Sequence, residues 1–267
     1  MKPIPAIAVL CASMSMAFQA PAGELTRKDF ELFADSRFGP PDGKARYWYG
    51  KGPVRDPQTG QALYDFEYYD TVRHYIDPGN PNRRFGIVRK IDQFRDSKTG
   101  EVLESFNGKP VRAWLYPYQL LELEYKDGKM LLTISQGSGE FLRSHVFGES
   151  AIERHGEFAH ITIPGFFTAR RVEAPDQVST YTMTSHFIVY EGKAEVSPRD
   201  QWELASVSPL ESWAGGDGSK LAYMFVYGAR YEEYAQLPQS LRDVIDTKYP
   251  AFREPAKDLA EVRALQR

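Results

Sequence analysis

Closely spaced turn signals are the sequence feature that most constrains the fold of this chain. The pentapeptides DPQTG and DSKTG occupy residues 56–60 and 96–100, and the dipeptides Asn107-Gly108 and Asp127-Gly128 follow them. In such segments Asp accepts backbone hydrogen bonds at the start of the turn, and Gly takes the positive φ angle that closes a hairpin. The middle of the chain is therefore expected to form successive β-hairpins.

The segments between these turns are rich in Tyr, Phe, Val, Ile and Thr, which is typical of β-strands. No pattern with a 3.6-residue period is long enough to provide a crossover helix between them, so parallel βαβ units are not expected. The predicted strands lie at 45–52, 62–76, 84–95, 101–106, 110–116, 119–126, 129–136, 140–147, 158–163, 180–190, 198–208 and 220–230.

Helical patterns occur near both ends of the chain. The segment LTRKDFELFADSRF offers Thr26 as an N-cap, and LPQSLRDVIDTKYP has apolar residues at helical spacing before Pro250. A large antiparallel sheet must protect its edges, and closing the sheet on itself achieves this. We therefore predict a mainly β protein in which a large antiparallel sheet is rolled into a lipocalin-like barrel, with a short N-terminal helix and a C-terminal helix.

The first 22 residues have the plan of a secretory signal peptide. Lys2 precedes a stretch of small and apolar residues that ends in Ala20-Pro21-Ala22, so cleavage is expected after Ala20 or Ala22. We predict a signal peptide at 1–22 and a single β-barrel-like domain at 23–267. The mature protein is then expected in the periplasm or outside the cell, with no membrane attachment after signal cleavage.

The composition of the chain argues against several classes of function. Cys11 is the only cysteine and lies in the predicted signal, which excludes thiol catalysis and Cys-ligated metals in the mature chain. The net charge is −3, with no basic run long enough to follow a phosphate backbone, so nucleic-acid binding is disfavoured. Motifs for serine hydrolysis and nucleotide binding are missing from the sequence. We expect a small-molecule ligand or substrate and no cofactor, and leave the oligomeric state open.

Three segments resemble a known bacterial family. They are RYWYGKGPV, DSKTGEVLESFNGKPV and YGARYEEYAQLPQSLRDVIDTKYPAFREP, which together cover most of residues 45–255. The chain resembles the family described as domain of unknown function 1838, whose members are often exported. Members of that family tend to have proline after the asparagine of the middle motif, whereas this sequence has Asn107-Gly108. The resemblance implies a fold and supplies no catalytic residues.

The segment LYDFEYYDTVRHYI provides three candidate catalytic residues. With a period of two, Glu67 and Arg73 share one face, and Asp70 and His74 share the other with aromatic side chains. Such a strand could form the wall of a ligand cavity, with His74, Asp70 or Glu67 as acid or base. The alternative is that Asp65, Glu67 and Arg73 form a solvated face and that His74 is a rim residue whose hydrogen bonds are satisfied.

A fourth candidate is His186, which shares a predicted strand face with Thr182, Thr184, Ile188 and Tyr190. The opposite face of this strand is more apolar and is the better candidate for the core. His186 could therefore line a polar cavity, or it could face water as a structural histidine.

No metal is predicted. If one is bound, the residue types that suit a divalent ion lie in AIERHGEFAHITI, where Glu153, His155 and Glu157 alternate and His160 follows. Gly156 indicates a turn in the middle of this set, and the sequence has no His-Glu-x-x-His motif. Scattered His and Glu residues in a loop are the alternative interpretation.

Aromatic residues and arginines near predicted strand ends are candidates for ligand contact, because such groups can stack on a planar ligand or hold an anion. They could equally form structural cation–π pairs. The candidates are Trp48, Arg73, Trp114, Tyr116, Trp202, Tyr227 and Arg230.

Two functions follow from these features. The first is an exported, cofactor-free enzyme, either an isomerase, a lyase or a hydrolase, that acts on a small apolar or aromatic compound in a barrel cavity through His and carboxylate groups. The second is a lipocalin-like carrier with the same cavity and no chemistry. A structural or interaction protein with a filled barrel is a third interpretation.

Overall fold

The computed structural model describes residues 25–137, 141–147, 150–171, 178–192 and 199–265, and the predicted signal peptide lies outside them. None of the helices in these ranges is long and apolar enough to cross a bilayer. The strands are β1 Ala45–Arg55, β2 Ala62–Ile76, β3 Arg83–Arg95, β4 Ser105–Phe106, β5 Lys109–Pro110, β6 Trp114–Lys126, β7 Lys129–Gly137, β8 Phe141–Phe147, β9 Ala151–His155, β10 Phe158–Arg171, β11 Val178–Tyr190, β12 Gln201–Pro209 and β13 Leu221–Tyr231. The helices are α1 Arg27–Phe38, α2 Gln239–Lys248 and α3 Leu259–Leu265, with single 3₁₀ turns at Ser212–Ala214, Tyr234–Gln236 and Pro250–Phe252.

The strands form one large antiparallel sheet in the order β7-β6-β3-β2-β1-β13-β12-β11-β10-β8, with β9 paired to β10. The sheet curls into a half-barrel. The pairing of β1 with β13 joins the first strand of the chain to the last one. This architecture confirms the predicted fold class, a mainly β protein consistent with a lipocalin-like barrel.

The turn signals adopt the predicted hairpin geometry. Asn107 and Gly108 have φ angles of 49° and 77°, and Asp127 and Gly128 have 51° and 71°, as a type I′ turn requires at both central positions. Within 56–60 the Gly60 amide donates to the Asp56 carbonyl at 2.8 Å. These turns fix the register of the strands that they connect.

Three strand predictions were wrong. The predicted strands 110–116 and 119–126 are largely one strand, β6, and segment 101–106 contributes β4 alone. Pro117 lies inside β6 at a bulge opposite β3, where the register shifts between Val88 and Lys90. The short strand β9 was not predicted.

Helix α1 fills one end of the concave face of the half-barrel. Its capping box is formed as predicted for Thr26, whose side-chain oxygen accepts from the Asp29 amide at 3.2 Å. Phe33 packs edge-on against Phe187 of β11 with ring centroids 5.2 Å apart, and Phe30 lies 5.8 Å from the ring of Tyr125. The aromatic face of the helix therefore completes the core.

The C-terminal segment covers the convex face of β1, β2 and β3. Leu241, Ile245 and Phe252 are buried together with Tyr69 and Ile91 from the sheet. The Tyr69 hydroxyl donates to the Phe252 carbonyl at 2.9 Å. Because α1 and the C-terminal segment lie on opposite sides of β2, both faces of that strand are buried.

Two glycines allow the sheet to curve sharply across β2, β1, β13 and β12. The residues Tyr68, Gly50, Gly228 and Trp202 are consecutive partners across these four strands. Because the two middle positions lack side chains, the rings of Tyr68 and Trp202 meet with centroids 4.7 Å apart. A Cβ on Gly228 would lie 2.7 Å from the Tyr49 carbonyl oxygen and 3.1 Å from the Trp202 ring.

We expect Gly228→Ala to lower the free energy of unfolding by about 1–3 kcal/mol, because a methyl group at this contact overpacks the sheet. Chemical denaturation of the purified protein measures the change. Gly79→Ala is the matched control, because a Cβ there would come no closer than 3.4 Å to a neighbouring atom. Equal stability of the two variants would contradict the role of Gly228.

Candidate ligand-binding site

A cavity of about 1000 Å³ lies between α1 and the concave face of the half-barrel. It extends from Phe33 and Phe38 of the helix to the loop at 210–218, at the opposite end of the sheet. Most of its lining residues are aromatic or aliphatic, and Trp48, Phe66, Phe94, Trp114, Phe187 and Trp202 provide the largest rings. An apolar wall of this kind is typical of sites for small organic molecules.

A polar cluster of Arg37, Tyr68, Asp70, Lys90 and Asp92 lies on one side of this cavity. Asp70 is fully buried, and the other four residues line the cavity. The strand residues belong to two adjacent rows of the sheet, since Asp70 is paired with Lys90 and Tyr68 with Asp92. Alternate positions of a strand face the same side, which brings all four to the concave face. Arg37 reaches them from the last turn of α1.

Ion pairs and hydrogen bonds connect the polar cluster. Arg37 Nη2 lies 2.6 Å from Asp70 Oδ2, and the Tyr68 hydroxyl donates to the same oxygen. Lys90 Nζ lies 2.9 Å from Asp92 Oδ2 and 5.0 Å from the centre of the Tyr68 ring. Each cation in the cluster therefore has its own carboxylate.

Trp48 holds the end of helix α1 beside the polar cluster. The Trp48 indole N–H donates to the Arg37 carbonyl at 2.9 Å, and the Arg37 guanidinium carbon lies 5.8 Å from the centre of the Trp48 ring. These contacts fix the backbone and the side chain of Arg37 together. The position of the guanidinium group is thus set by the fold and not by a bound ligand.

The protonation states of the cluster follow from burial and from Asp70. Burial opposes the charge on Arg37, but the neighbouring Asp70 carboxylate raises the pKa of the guanidinium above its usual value. Burial, and then the negative charge of Asp70, raise the pKa of Tyr68 well above its ordinary range. Tyr68 therefore remains a neutral hydroxyl donor at physiological pH.

Asp70 is the predicted catalytic residue that belongs to the polar cluster. His74 lies on the same face of β2 but is absent from the cavity lining, since its Nδ1 donates to the Gly39 carbonyl at 2.6 Å and its ring packs against Phe38. Burial lowers the pKa of His74 to about 4. His74 is therefore a buried, hydrogen-bonded residue outside the lining of the cavity.

Glu67 and His186 point away from the cavity. Glu67 is only 1% exposed on the convex face, where its carboxylate contacts Arg95 Nε at 2.5 Å and accepts from the Tyr49 hydroxyl at 3.0 Å. The alternative of a solvated Glu67 was therefore wrong, because Tyr49, Gln93 and Arg95 surround its carboxylate. His186 is half-buried on the convex face of β11, within 3.0 Å of the Thr162 hydroxyl.

The seven predicted ligand contacts divide into two groups. Trp48, Trp114 and Trp202 line the cavity, and the ring of the buried Tyr116 lies 4.8 Å from Lys90 Nζ. The other three, Arg73, Tyr227 and Arg230, do not line the cavity. Tyr227 is 56% exposed on the convex side.

The two arginines among these candidates bind backbone carbonyls. Arg230 Nη1 donates to the carbonyls of Asp35 and Ser36 at 2.6 Å each, which secures the end of α1. Arg73 Nη1 donates to the Lys257 carbonyl at 3.2 Å. Both side chains therefore connect distant segments of the fold to the sheet.

The candidate metal ligands lie on the surface around the β9–β10 turn. His155 Nε2 lies 3.5 Å from a Glu153 carboxylate oxygen, and the rings of His155 and His160 are 5.2 Å apart. Glu157 instead accepts from the Tyr190 hydroxyl at 3.2 Å. Within the described ranges, no group of three or more His, Cys, Asp or Glu residues has the geometry to hold a metal ion.

Sequence reasoning missed Arg37, Tyr68, Lys90 and Asp92 as members of a site. For the β3 residues a signal exists, since Lys90 and Asp92 share their strand face with the apolar residues Val88 and Phe94. Two polar residues on the inner face of such a strand predict a polar patch in the core. Arg37 gives no such signal, because its position depends on how α1 docks.

Comparison of the chain with protein-family models, with curated proteins and with solved structures gives no match. The resemblance to the family of domain of unknown function 1838 therefore stays a prediction. The function has to be argued from the geometry of the cavity.

The buried His74 predicts a pH dependence of stability. Its folded pKa of about 4 lies below the unfolded value of 6.5, so the unfolded chain binds more protons between these values. The contribution of His74 to the free energy of unfolding is then fully present above pH 6.5 and falls as the pH drops towards 4. The loss from this residue is roughly 2 kcal/mol between pH 7 and 5. Denaturation curves of the protein and of His74→Gln measure it. A His74→Gln variant that loses as much stability as the parent over this range would contradict the assignment.

Proposed function

We propose that this protein binds a small amphipathic molecule with an aromatic or apolar body in the cavity under α1. The observation that carries the proposal is the combination of a cavity of about 1000 Å³, aromatic walls and one buried polar cluster. This volume is at the upper end of the usual range for small-molecule sites, roughly 300–1000 Å³. The polar cluster would orient the ligand, and the walls would supply most of the affinity.

The aromatic walls suit a planar or branched apolar ligand. Trp48, Trp114 and Trp202 come from three strands and are positioned by contacts that need no ligand. A preformed pocket loses little conformational freedom when it binds, which favours affinity. A lipocalin-like carrier of an apolar compound, exported to the periplasm or beyond the cell, is the function that fits best.

An enzyme is the second candidate, and the contact between Tyr68 and Asp70 favours it. A neutral phenol that donates to a carboxylate beside a guanidinium group, next to an aromatic cavity, is an arrangement that can move a proton. In that case Tyr68 and Asp70, and not His74 or His186, would perform the acid–base chemistry. Isomerisation, elimination and hydrolysis without a cofactor would all be compatible with it.

Narrowing the cavity is expected to weaken binding. Met224 is half-buried and lines the cavity, whereas its neighbour Tyr223 is 40% exposed on the convex face. We expect Met224→Trp to weaken the binding of the neutral fluorophore N-phenyl-1-naphthylamine by about tenfold or more, because about 1.4 kcal/mol of lost contact has this effect. Fluorescence titration measures the dissociation constant, with circular dichroism as a check on folding.

Tyr223→Trp is the matched control, since it adds an indole to the same strand outside the cavity. It is expected to bind the fluorophore as the parent does. Equal binding by both variants, or no binding by the parent protein, would refute the proposed site.

The enzyme candidate makes a separate prediction. Once a compound is found that the protein converts, Tyr68→Phe should reduce turnover by about a hundredfold or more while the dissociation constant changes little, because a proton-transfer group typically contributes that much. Single-turnover kinetics and ligand binding measure the two quantities. Stoichiometric uptake of ligands that are recovered unchanged would favour the carrier.

A further inference from the structure

The charges of the polar cluster balance one another. Arg37 is paired with Asp70, and Lys90 is paired with Asp92, at 2.6 Å and 2.9 Å. All four side chains are largely buried, with exposed fractions of 9%, 0%, 15% and 3% in that order. The cluster beside the cavity therefore consists of two complete ion pairs and has no net charge.

The other charged residues that line the cavity are acidic. Among the described residues these are Glu211 and Asp217, both in the loop that follows β12. His74, the buried histidine on the same face of β2, is neutral at physiological pH because burial lowers its pKa to about 4. No cation that faces the cavity in the described part of the chain lacks a carboxylate partner.

This balance has a consequence for the charge of the ligand. A carboxylate beside the cluster would be a third negative charge next to two cations that are already paired, in a site where burial weakens screening. Asp217 of the loop would add a further carboxylate to the same cavity. A neutral ligand meets neither penalty.

The cluster still offers a hydrogen bond to a neutral ligand. Arg37 Nη1 is buried and has no hydrogen-bond partner in the described structure, although Arg37 is part of the cavity lining. A buried donor without a partner is costly, and an oxygen of a ligand can satisfy it. Donation from a guanidinium group is stronger than a bond between neutral groups.

We propose that the cavity selects uncharged ligands with an aromatic or aliphatic body and one hydroxyl or carbonyl oxygen, which accepts from Arg37, and that it rejects the corresponding carboxylates. This inference rests on the proposed function and defines the class of its ligand. It predicts discrimination between compounds of nearly equal size and shape that differ in charge.

The test is displacement of N-phenyl-1-naphthylamine at pH 8 by a matched series of naphthalene compounds. We expect the neutral 2-acetylnaphthalene to bind at least about tenfold more tightly than 2-naphthoate, because one unfavourable charge in a poorly screened site has that effect. It should also bind more tightly than naphthalene itself, which has no oxygen to accept from Arg37. Tighter or equal binding of 2-naphthoate or of naphthalene would overturn the inference.

Charge variants test the cause of the selectivity. Asp92→Asn removes one negative charge 2.9 Å from Lys90 Nζ, so the affinity for 2-naphthoate should rise about tenfold or more relative to 2-acetylnaphthalene. Asp65→Asn is the matched control, because Asp65 pairs with Lys51 at 3.0 Å on the opposite face of β2. The control changes the total charge equally and should leave the selectivity unchanged.

Glu211→Gln is the second variant in case Asp92→Asn fails to fold. It removes one negative charge at the loop and should shift the selectivity towards naphthoate by a smaller factor. Unchanged selectivity in Asp92→Asn, or in Glu211→Gln when the first variant is unfolded, would overturn the inference. If neither the fluorophore nor any naphthalene compound binds the parent protein, the proposed function itself fails.

Discussion

The ion pair between Arg37 and Asp70 connects the N-terminal helix, the sheet and the cavity. It holds the last turn of α1 against the concave face, and Asp70 also accepts from Tyr68. A buried ion pair of this kind adds little net stability, but removal of one partner leaves an uncompensated charge in the core. The pair therefore acts as a constraint on where α1 can dock, and the docking of α1 defines one end of the cavity.

Charged residues are buried on both faces of the central strands, and the sheet separates them into two sets. On the concave side, Asp70 and Asp92 neutralise cations beside the cavity. On the convex side, Glu67 neutralises Arg95 beneath the C-terminal segment. Because side chains alternate along a strand, neighbours in sequence serve different parts of the protein. A charged residue of β2 is thus on the cavity side or on the opposite side of the sheet, according to which face of the strand its side chain occupies.

Much of the fold was predictable from local chemistry. The hairpins at 107–108 and 127–128 depend on residues that tolerate positive φ, and the strands on either side show the expected residue types. The single strand β6 was predicted as two, because Pro117 is accommodated by a bulge that only the pairing with β3 reveals. Of the site, the three cavity tryptophans and Asp70 were predicted. His74 was assigned to chemistry because the sequence does not show that the Gly39 carbonyl occupies its ring nitrogen.

The sequence by itself determined the antiparallel architecture, the positions of the turns and which residues of a strand share a face. These features depend on backbone preferences and on a period of two residues. Only the tertiary structure decided which face of each strand lines the cavity. It also decided that Arg37 contacts Asp70, and that Gly50 and Gly228 allow the ring of Tyr68 to contact Trp202. These contacts join residues far apart in the chain. They follow from the curvature of the sheet and from the docking of the helix, which no local pattern encodes.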